Sequence, residues 1–129
     1  MLTFDRLEPG KPLGKLTLAF DPIQLTRWDS IFPGSIAASD VFVPSGLVVA
    51  FSMRGYVALL GERPKGNVHA GQQFVWGRRV PKGTDLVVTL TCLRKELKRE
   101  RRWVWFDNRL SGREGDLHLQ ATMTLVWAA

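Results

Sequence analysis

The stretch Pro44-Ser45-Gly46-Leu47-Val48-Val49-Ala50-Phe51-Ser52-Met53-Arg54-Gly55-Tyr56-Val57-Ala58-Leu59-Leu60-Gly61 decides the fold of this chain. Ser45 is suited to cap the start of a helix, and Gly61 is suited to follow its end. A helix that is apolar on nearly every face has to be buried on most sides. At about 22 Å it is too short to span a membrane. We therefore expect an antiparallel sheet to wrap around it.

The segments around this stretch predict one short helix and several strands. Lys15–Phe20 alternates as a strand with one wet face. Asp21 and Pro22 predict the start of a helix that runs to Ile31 or Phe32 and presents Ile23, Leu25, Trp28 and Ile31 to the core. Further strands are predicted over residues 67–80, 86–93 and 102–110 and from 117 onward, with a charged connection between 93 and 102. This order favours an α+β fold in a single domain, residues 1–129.

The last strand has the clearest period-2 pattern of the chain. Leu117, Leu119 and the alternate residues after them are predicted to face the core. His118 alternates with Gln120 and Thr122, so it is predicted to lie on a solvated polar face. Cys92 alternates with Leu90 and is interpreted as an ordinary strand residue.

Composition and charge indicate the cellular compartment and the kind of binding partner. The chain has 129 residues and a net charge of +6, which favours an anionic partner such as nucleic acid, an anionic membrane or a phosphorylated small molecule; the same charge is also found on domains that bind nothing anionic. The single cysteine excludes an internal disulfide and fits a reducing cytoplasm. The N-terminus carries Asp5 and no apolar run, so no signal peptide is predicted. No cluster has metal-ligand spacing.

The second half of the chain resembles the MaoC-like, R-specific enoyl-CoA hydratase family. The resemblance rests on the strand from Val68 through Phe74, the turn Arg79–Leu86 and the closing segment Ala121–Trp127. Ser45-Gly46-Leu47 is similar to the His-Gly-Met or His-Gly-Leu that opens the family's central helix. The resemblance implies a hot-dog fold, in which a curved antiparallel sheet wraps one long hydrophobic helix, and an acyl-CoA-type thioester as ligand.

The chain departs from the family at the hydration motif. That motif is an Asp followed by Asn-Pro and then a His about five residues after the Asp, placed before the central helix. Residues 32–40 here contain no His and no Asn. Asp40 is present but close to the central helix, and Ser45 stands where the family has the His before Gly. A general base would have to come from Asp40, His69 or His118. For His69 the alternative is a polar residue on the wet or dimer-facing side of its strand, and His118 is interpreted as solvated.

The resemblance places Gly46 at the start of the central helix, where a free N–H and the helix dipole can polarise a thioester carbonyl. The alternative is a glycine needed only for close packing. The ligand-binding residues expected beside it are Ser45, Arg78, Arg79 and Lys82, the basic ones holding the phosphates of coenzyme A. Coenzyme A would be part of the substrate, and no separate cofactor is implied.

The run Arg94–Arg102 is strongly basic and has three interpretations. It is a solvated hairpin end, or it joins the basic residues above in holding phosphates, or it binds nucleic acid with Trp103 and Trp105 as stacking platforms. Acidic residues interrupt the run, so the sequence disfavours nucleic acid.

The sequence thus predicts a cytoplasmic hydratase or dehydratase, a lyase of fatty acid metabolism, with an atypical site. The alternative is a catalytically silent hot-dog subunit that pairs with an active partner. A thioesterase ranks third, because its acid would have to be Glu62 at the far end of the helix. Since a lone protomer leaves a strand edge exposed, we expect a homodimer or a hetero-oligomer with another hot-dog subunit.

Overall fold

An antiparallel sheet carries the long apolar helix on one face in this computed structural model, which describes residues 1–36 and 40–129. Within that part of the chain the strands lie in the order β1-β3-β4-β5-β2, and all neighbours are antiparallel. After a short 3-10 turn at Phe4–Arg6, the elements are β1 Pro12–Leu18, α1 Pro22–Ile31, α2 Ser45–Leu60, β2 Val68–Trp76, β3 Leu86–Lys98, β4 Arg101–Gly112 and β5 Leu117–Trp127.

Helix α2 forms where it was predicted but is covered on one side only. Pro44 takes the capping position, one residue before the predicted cap, and Gly61 ends the helix with a φ of 61°. The buried residues are Leu47, Val48, Ser52, Gly55, Tyr56 and Leu60. Ala50, Arg54 and Val57 are exposed, so the expectation of burial on most sides is wrong. No helix among the described residues has the length and apolar character needed to cross a bilayer.

Two apolar clusters fix α2 on the sheet. The first half of the helix packs with Val80, Leu86 and Val88, and the second half packs with Phe106 and Trp127. Between the two, the buried Asn108 donates its Nδ2 hydrogen to the carbonyl of Ser52 over 2.8 Å. A hydrogen bond from the sheet to the helix backbone fixes the position of the helix along the strands, which apolar contact alone does not.

Helix α1 begins as predicted and packs less deeply than predicted. The Asp21 carboxylate accepts a hydrogen bond from the N–H of Ile23 at 3.1 Å, and Pro22 is the first helical residue. The side chains of Leu25 and Trp28 are half-buried, but Ile23 and Ile31 are 47% and 67% exposed. The prediction that all four apolar residues face the core is therefore wrong for two of them.

The charged connection predicted after residue 93 is wrong, because both strands continue through it. β3 runs to Lys98 and β4 begins at Arg101, and these two residues pair. Arg99 and Glu100 form the turn with φ values of 52° and 63°. Two central residues of positive φ match a two-residue hairpin turn, which normally uses Asn-Gly. The basic run is thus the tip of a long projecting hairpin.

Candidate functional site

A small cavity of about 160 Å³ lies beside the first turn of α2. Its walls come from three places: the start of α2, the end of β2 with the residues after it, and the start of β5. The side chains on its wall that matter for chemistry are Ser45, Trp76, Arg78, Arg79 and His118. Three of the four predicted ligand-binding residues therefore meet at this cavity.

Backbone pairing of the segment before α2 with the β2–β3 connection builds this arrangement. The N–H of Val43 donates to the carbonyl of Val80, and the N–H of Lys82 donates to the carbonyl of Val41, both over 2.8 Å. Phe42 and Pro81 form an isolated bridge between them. This pairing sets the entry of α2 beside Arg78 and Arg79, which are distant from it in sequence.

The first two amide groups of α2 have no hydrogen-bond partner in the part of the chain that the structure describes. The N–H groups of Leu47 and Val48 both donate to the carbonyl of Pro44, at 3.0 and 3.1 Å. No hydrogen bond between described residues uses the N–H of Ser45 or Gly46, and Pro44 supplies no side-chain cap. The first turn of a helix carries partial positive charge and favours anions or carbonyl oxygens.

Gly46 also has a packing role. A Cβ atom at this position would lie 2.7 Å from Cη2 of Trp28, far inside van der Waals contact. The indole ring of Trp28 in α1 can pack against the start of α2 because Gly46 has no side chain. The expected role of Gly46 in holding a carbonyl stays a prediction, and the packing alternative is supported alongside it.

The basic residues near the cavity differ in how they are held. The guanidinium of Arg79 lies 4.2 Å from the centre of the Phe42 ring, a cation–π contact that orients it. Arg78 is exposed, and its backbone N–H donates to the carbonyl of Leu117 over 2.9 Å. Lys82 is half-buried beyond Pro81 and does not line the cavity.

His118 is the residue that the sequence pattern misplaced. It is 2% exposed rather than solvated. The register between β4 and β5 shifts between Leu110, which pairs with Leu119, and Ser111, which pairs with Leu117. His118 is the extra residue of this β-bulge, and a bulge turns a side chain away from the face that strict alternation assigns. Nothing in the alternation of this strand signals the bulge.

Two of the candidate general bases, Asp40 and His69, do not line the cavity. The Asp40 carboxylate accepts a hydrogen bond from the N–H of Phe42 at 3.0 Å, which shapes the turn before α2. His69 is at the opposite end of β2 from Trp76, about 23 Å away at the usual rise per residue. Within one chain His69 is therefore not placed to act on a carbonyl at Gly46.

The basic hairpin tip lies far from this cavity. Leu86, at the start of β3, packs with the first half of α2, whereas Lys98 is at the other end of that strand, about 40 Å away. The expectation that the tip and Arg78 hold the same phosphates is therefore wrong within one chain.

A larger concavity of about 690 Å³ lies at the hairpin, lined by Trp103, Trp105 and the basic side chains of the tip. The two rings stack with centroids 6.3 Å apart. The guanidinium of Arg94 already covers Trp105, at 3.8 Å from the ring centre. The structure does not choose among the interpretations of this surface given above, which include nucleic-acid binding.

Cys92 is a core residue, as interpreted from the sequence. Its side chain is 0% exposed, and burial raises the pKa of the thiol, an effect that the charge of Lys95 partly offsets. A raised pKa removes the thiolate that nucleophilic catalysis requires. Among the described residues, no three His, Cys, Asp or Glu side chains converge on a possible metal position.

The sheet order, the single long helix across the sheet and the short helix before it define the hot-dog fold. Among solved structures, the chain is similar to a MaoC-like dehydratase from Rhodospirillum rubrum, with a TM-score of 0.79 and 14% identity over 100% of this chain and 99% of that chain. It is also similar to the R-hydratase PhaJ1 from Pseudomonas aeruginosa, with a TM-score of 0.73 and 18% identity over 97% and 84% of the two chains.

A third similar structure is a complex, the C-terminally truncated HadBC (3R-hydroxyacyl-ACP dehydratase) from Mycobacterium tuberculosis. The TM-score is 0.65, with 15% identity over 86% of this chain and 90% of that chain. No protein-family model and no curated protein sequence matches the chain. The predicted α+β hot-dog fold and its structural likeness to the MaoC-like dehydratases and R-hydratases are confirmed.

Proposed function

We propose that this chain is a hot-dog protein that binds an acyl-CoA-type thioester at the start of α2. One observation carries the proposal: the amides of Ser45 and Gly46 have no partner among the described residues, and Ser45 lines a cavity whose rim holds Arg78 and Arg79. The amides are suited to a carbonyl oxygen, and the guanidinium groups are suited to phosphates. Lys82, just outside the cavity, adds a second layer of positive charge.

The proposed reaction is hydration or dehydration at the α,β-bond of the thioester, as in a lyase of fatty acid metabolism. The hydratase and the dehydratase that share this fold support this reaction class. The carbonyl held at the helix start would carry the charge that develops when water adds to the β-carbon. Coenzyme A enters as part of the substrate, and the reducing cytoplasm is the proposed setting.

A catalytically silent subunit is the second candidate. The absence of the family's Asp and His motif before α2 favours it, and a complex is among the structures of the same fold. In that case the partner would supply the catalytic residues. A thioesterase is less well supported, since Glu62 lies at the other end of α2, where its carboxylate is 3.9 Å from the N-terminal amine.

The proposed oligomer forms through β2. This strand is an edge of the sheet and exposes Val68, Phe74, Val75 and Trp76. An unpaired apolar edge is a template for another strand. Antiparallel pairing of two copies about Gln72, the midpoint of β2, would place His69 of one copy opposite Val75 of the other. His69 would then lie near the partner's cavity, the one arrangement that keeps its predicted role open.

The test combines calorimetric binding of CoA thioesters with turnover of a series of enoyl-CoA substrates by the purified oligomer. Turnover supports the hydratase and excludes the silent subunit, whereas binding without turnover supports the silent subunit. Absence of both contradicts thioester binding.

Arg78→Gln with Arg79→Gln tests the phosphate contacts. Loss of charged hydrogen bonds should weaken binding by about 10- to 100-fold. The matched control is Arg99→Gln with Arg101→Gln at the hairpin tip, which removes the same charge far from the cavity and should leave the affinity unchanged. Equal weakening by both variants would show that only net charge matters.

A further inference from the structure

His118 has a fixed hydrogen-bonding geometry inside the cavity wall. Its Nδ1 atom lies 2.7 Å from the carbonyl oxygen of Arg78. A carbonyl oxygen only accepts, so Nδ1 carries the hydrogen and donates it. In the neutral ring the lone pair is then on Nε2. The tautomer is set by the backbone of the same segment that carries the cavity's two arginines.

The Nε2 atom is buried and is not committed to a partner. It makes no hydrogen bond with any described residue. Oδ2 of the Asp116 carboxylate lies 3.5 Å from Nε2, which is longer than a well-formed hydrogen bond. A buried nitrogen without a partner is rare in a folded protein and calls for a ligand or a water molecule.

Gly112 leaves room for the Asp116 carboxylate next to the imidazole, because it has no side chain. A Cβ atom at Gly112 would overlap the Asp116 carboxylate, and the N–H of Gly112 donates to the Asp116 carbonyl over 2.9 Å. The carboxylate thus lies where it can compensate the positive charge that an imidazole gains on taking a proton. The other charged groups at the cavity are Arg78 and Arg79.

We propose that His118 is the proton-transfer residue of this site, oriented by the Arg78 carbonyl and supported by Asp116. This rests on the proposed thioester ligand. Nε2 takes a proton from water while the water oxygen bonds to the β-carbon of the α,β-unsaturated thioester. The π electrons of the double bond shift toward the carbonyl, whose oxygen is held at the start of α2. His118 then returns the proton to the α-carbon, so that one water is added and the imidazole is neutral again.

The test is His118→Asn, whose amide can still donate to the Arg78 carbonyl but has no atom in place of Nε2. We expect kcat to fall about 100-fold or more, as for loss of a general base, with thioester affinity within about threefold of wild type. Asp116→Asn should lower kcat less and alter the acidic limb of the pH profile. His69→Gln tests the chain's other histidine: a fall in kcat for His69→Gln with none for His118→Asn would assign proton transfer to His69 and overturn the proposal.

A folded His118→Asn variant with wild-type kcat would overturn the proposal, as would equal losses of kcat and affinity in His118→Asn and His69→Gln. If wild type binds thioester without turnover, the imidazole ¹⁵N resonances show whether His118 meets the bound thioester. The Nε2 signal of His118 should move when the thioester binds. An unmoved Nε2 signal overturns the proposal even though thioester binding stands, whereas loss of thioester binding itself overturns the proposed function.

Discussion

At the residue scale, burial separates side chains that look alike in the sequence. His69 and His118 both lie on strands between two apolar residues, yet His69 is exposed and His118 is enclosed. The sequence predicts that Gly46 binds a ligand, and the closeness of Trp28 to this glycine shows that it has a packing role. The environment of each residue, rather than its type, decides what chemistry it can carry out.

Tyr56, the only tyrosine of the chain, gives a residue-scale prediction. Burial raises its pKa from 10.0 to about 12, against the charge of Arg63, which lowers it. Between these values the folded state keeps the phenol proton that the unfolded state loses, so the free energy of unfolding should fall as the pH rises through this window. Tyrosinate absorbance of the folded protein should appear only near the upper value.

Tyr56→Phe is the control for this prediction. It removes the ionisable group while keeping the ring that packs 5.9 Å from Phe106. Its stability should fall less steeply than that of wild type over the same alkaline window. Equal slopes, or tyrosinate absorbance that rises near the ordinary pKa in the folded protein, would contradict the prediction.

At the scale of elements, irregularities in the strands place the functional groups. The bulge in β5 turns His118 into the cavity wall, and the pairing of residues 41–43 with 80–82 sets the start of α2 against Arg79. The long β3–β4 hairpin carries the basic run away from the cavity. Hydrophobic periodicity predicts none of these three features.

The turn Arg99-Glu100 gives a prediction at this scale. Both residues have positive φ, a conformation that costs residues with a Cβ atom about 1–2 kcal/mol each. Arg99→Asn with Glu100→Gly should therefore raise the free energy of unfolding by about 1–2 kcal/mol, because Asn-Gly suits this turn. Urea denaturation of the variant and wild type measures the difference.

The control for the turn is Arg99→Gln with Glu100→Gln, which removes the same pair of charges but keeps Cβ-bearing residues in the turn. It should not gain stability. If it gains as much as the Asn-Gly variant, the effect is electrostatic rather than conformational.

At the scale of the whole molecule, the two edges of the sheet differ in character. β1 alternates half-buried residues with exposed Lys15 and Thr17, whereas β2 exposes large apolar side chains at both of its ends. The cavity lies beside the end of β2, so a second copy or a related subunit on this edge would border the proposed ligand site. Association and function are thus expected to be linked.

Val75→Lys tests the role of this edge. Val75 is 58% exposed on β2, and a lysine there would place a charge on the apolar part of the paired edge, opposite His69 of the other copy. We expect the dimer Kd to rise at least about tenfold, which corresponds to about 1.4 kcal/mol, as measured by light scattering over a dilution series. Leu97→Lys, at a residue that is 67% exposed at the hairpin tip, is the matched control, and an unchanged Kd for Val75→Lys would exclude this edge as the interface.

The sequence by itself determined the elements whose signals are local. The apolar run from Ser45 to Leu60, the Asp21-Pro22 helix start and the alternation of β5 each depend on neighbouring residues, which is why their positions could be predicted. Together with the short motifs after β2, they were sufficient to predict the hot-dog fold and to select Ser45, Arg78 and Arg79.

Only the tertiary structure decided which of these residues meet and what else joins them. The enclosure of His118, the separation of His69 and the hairpin tip from α2, and the contact of Trp28 with Gly46 depend on strand register and on packing between distant segments. A one-residue bulge reverses the direction of a side chain without changing the pattern around it. The site chemistry therefore depends on long-range register, which local sequence does not encode.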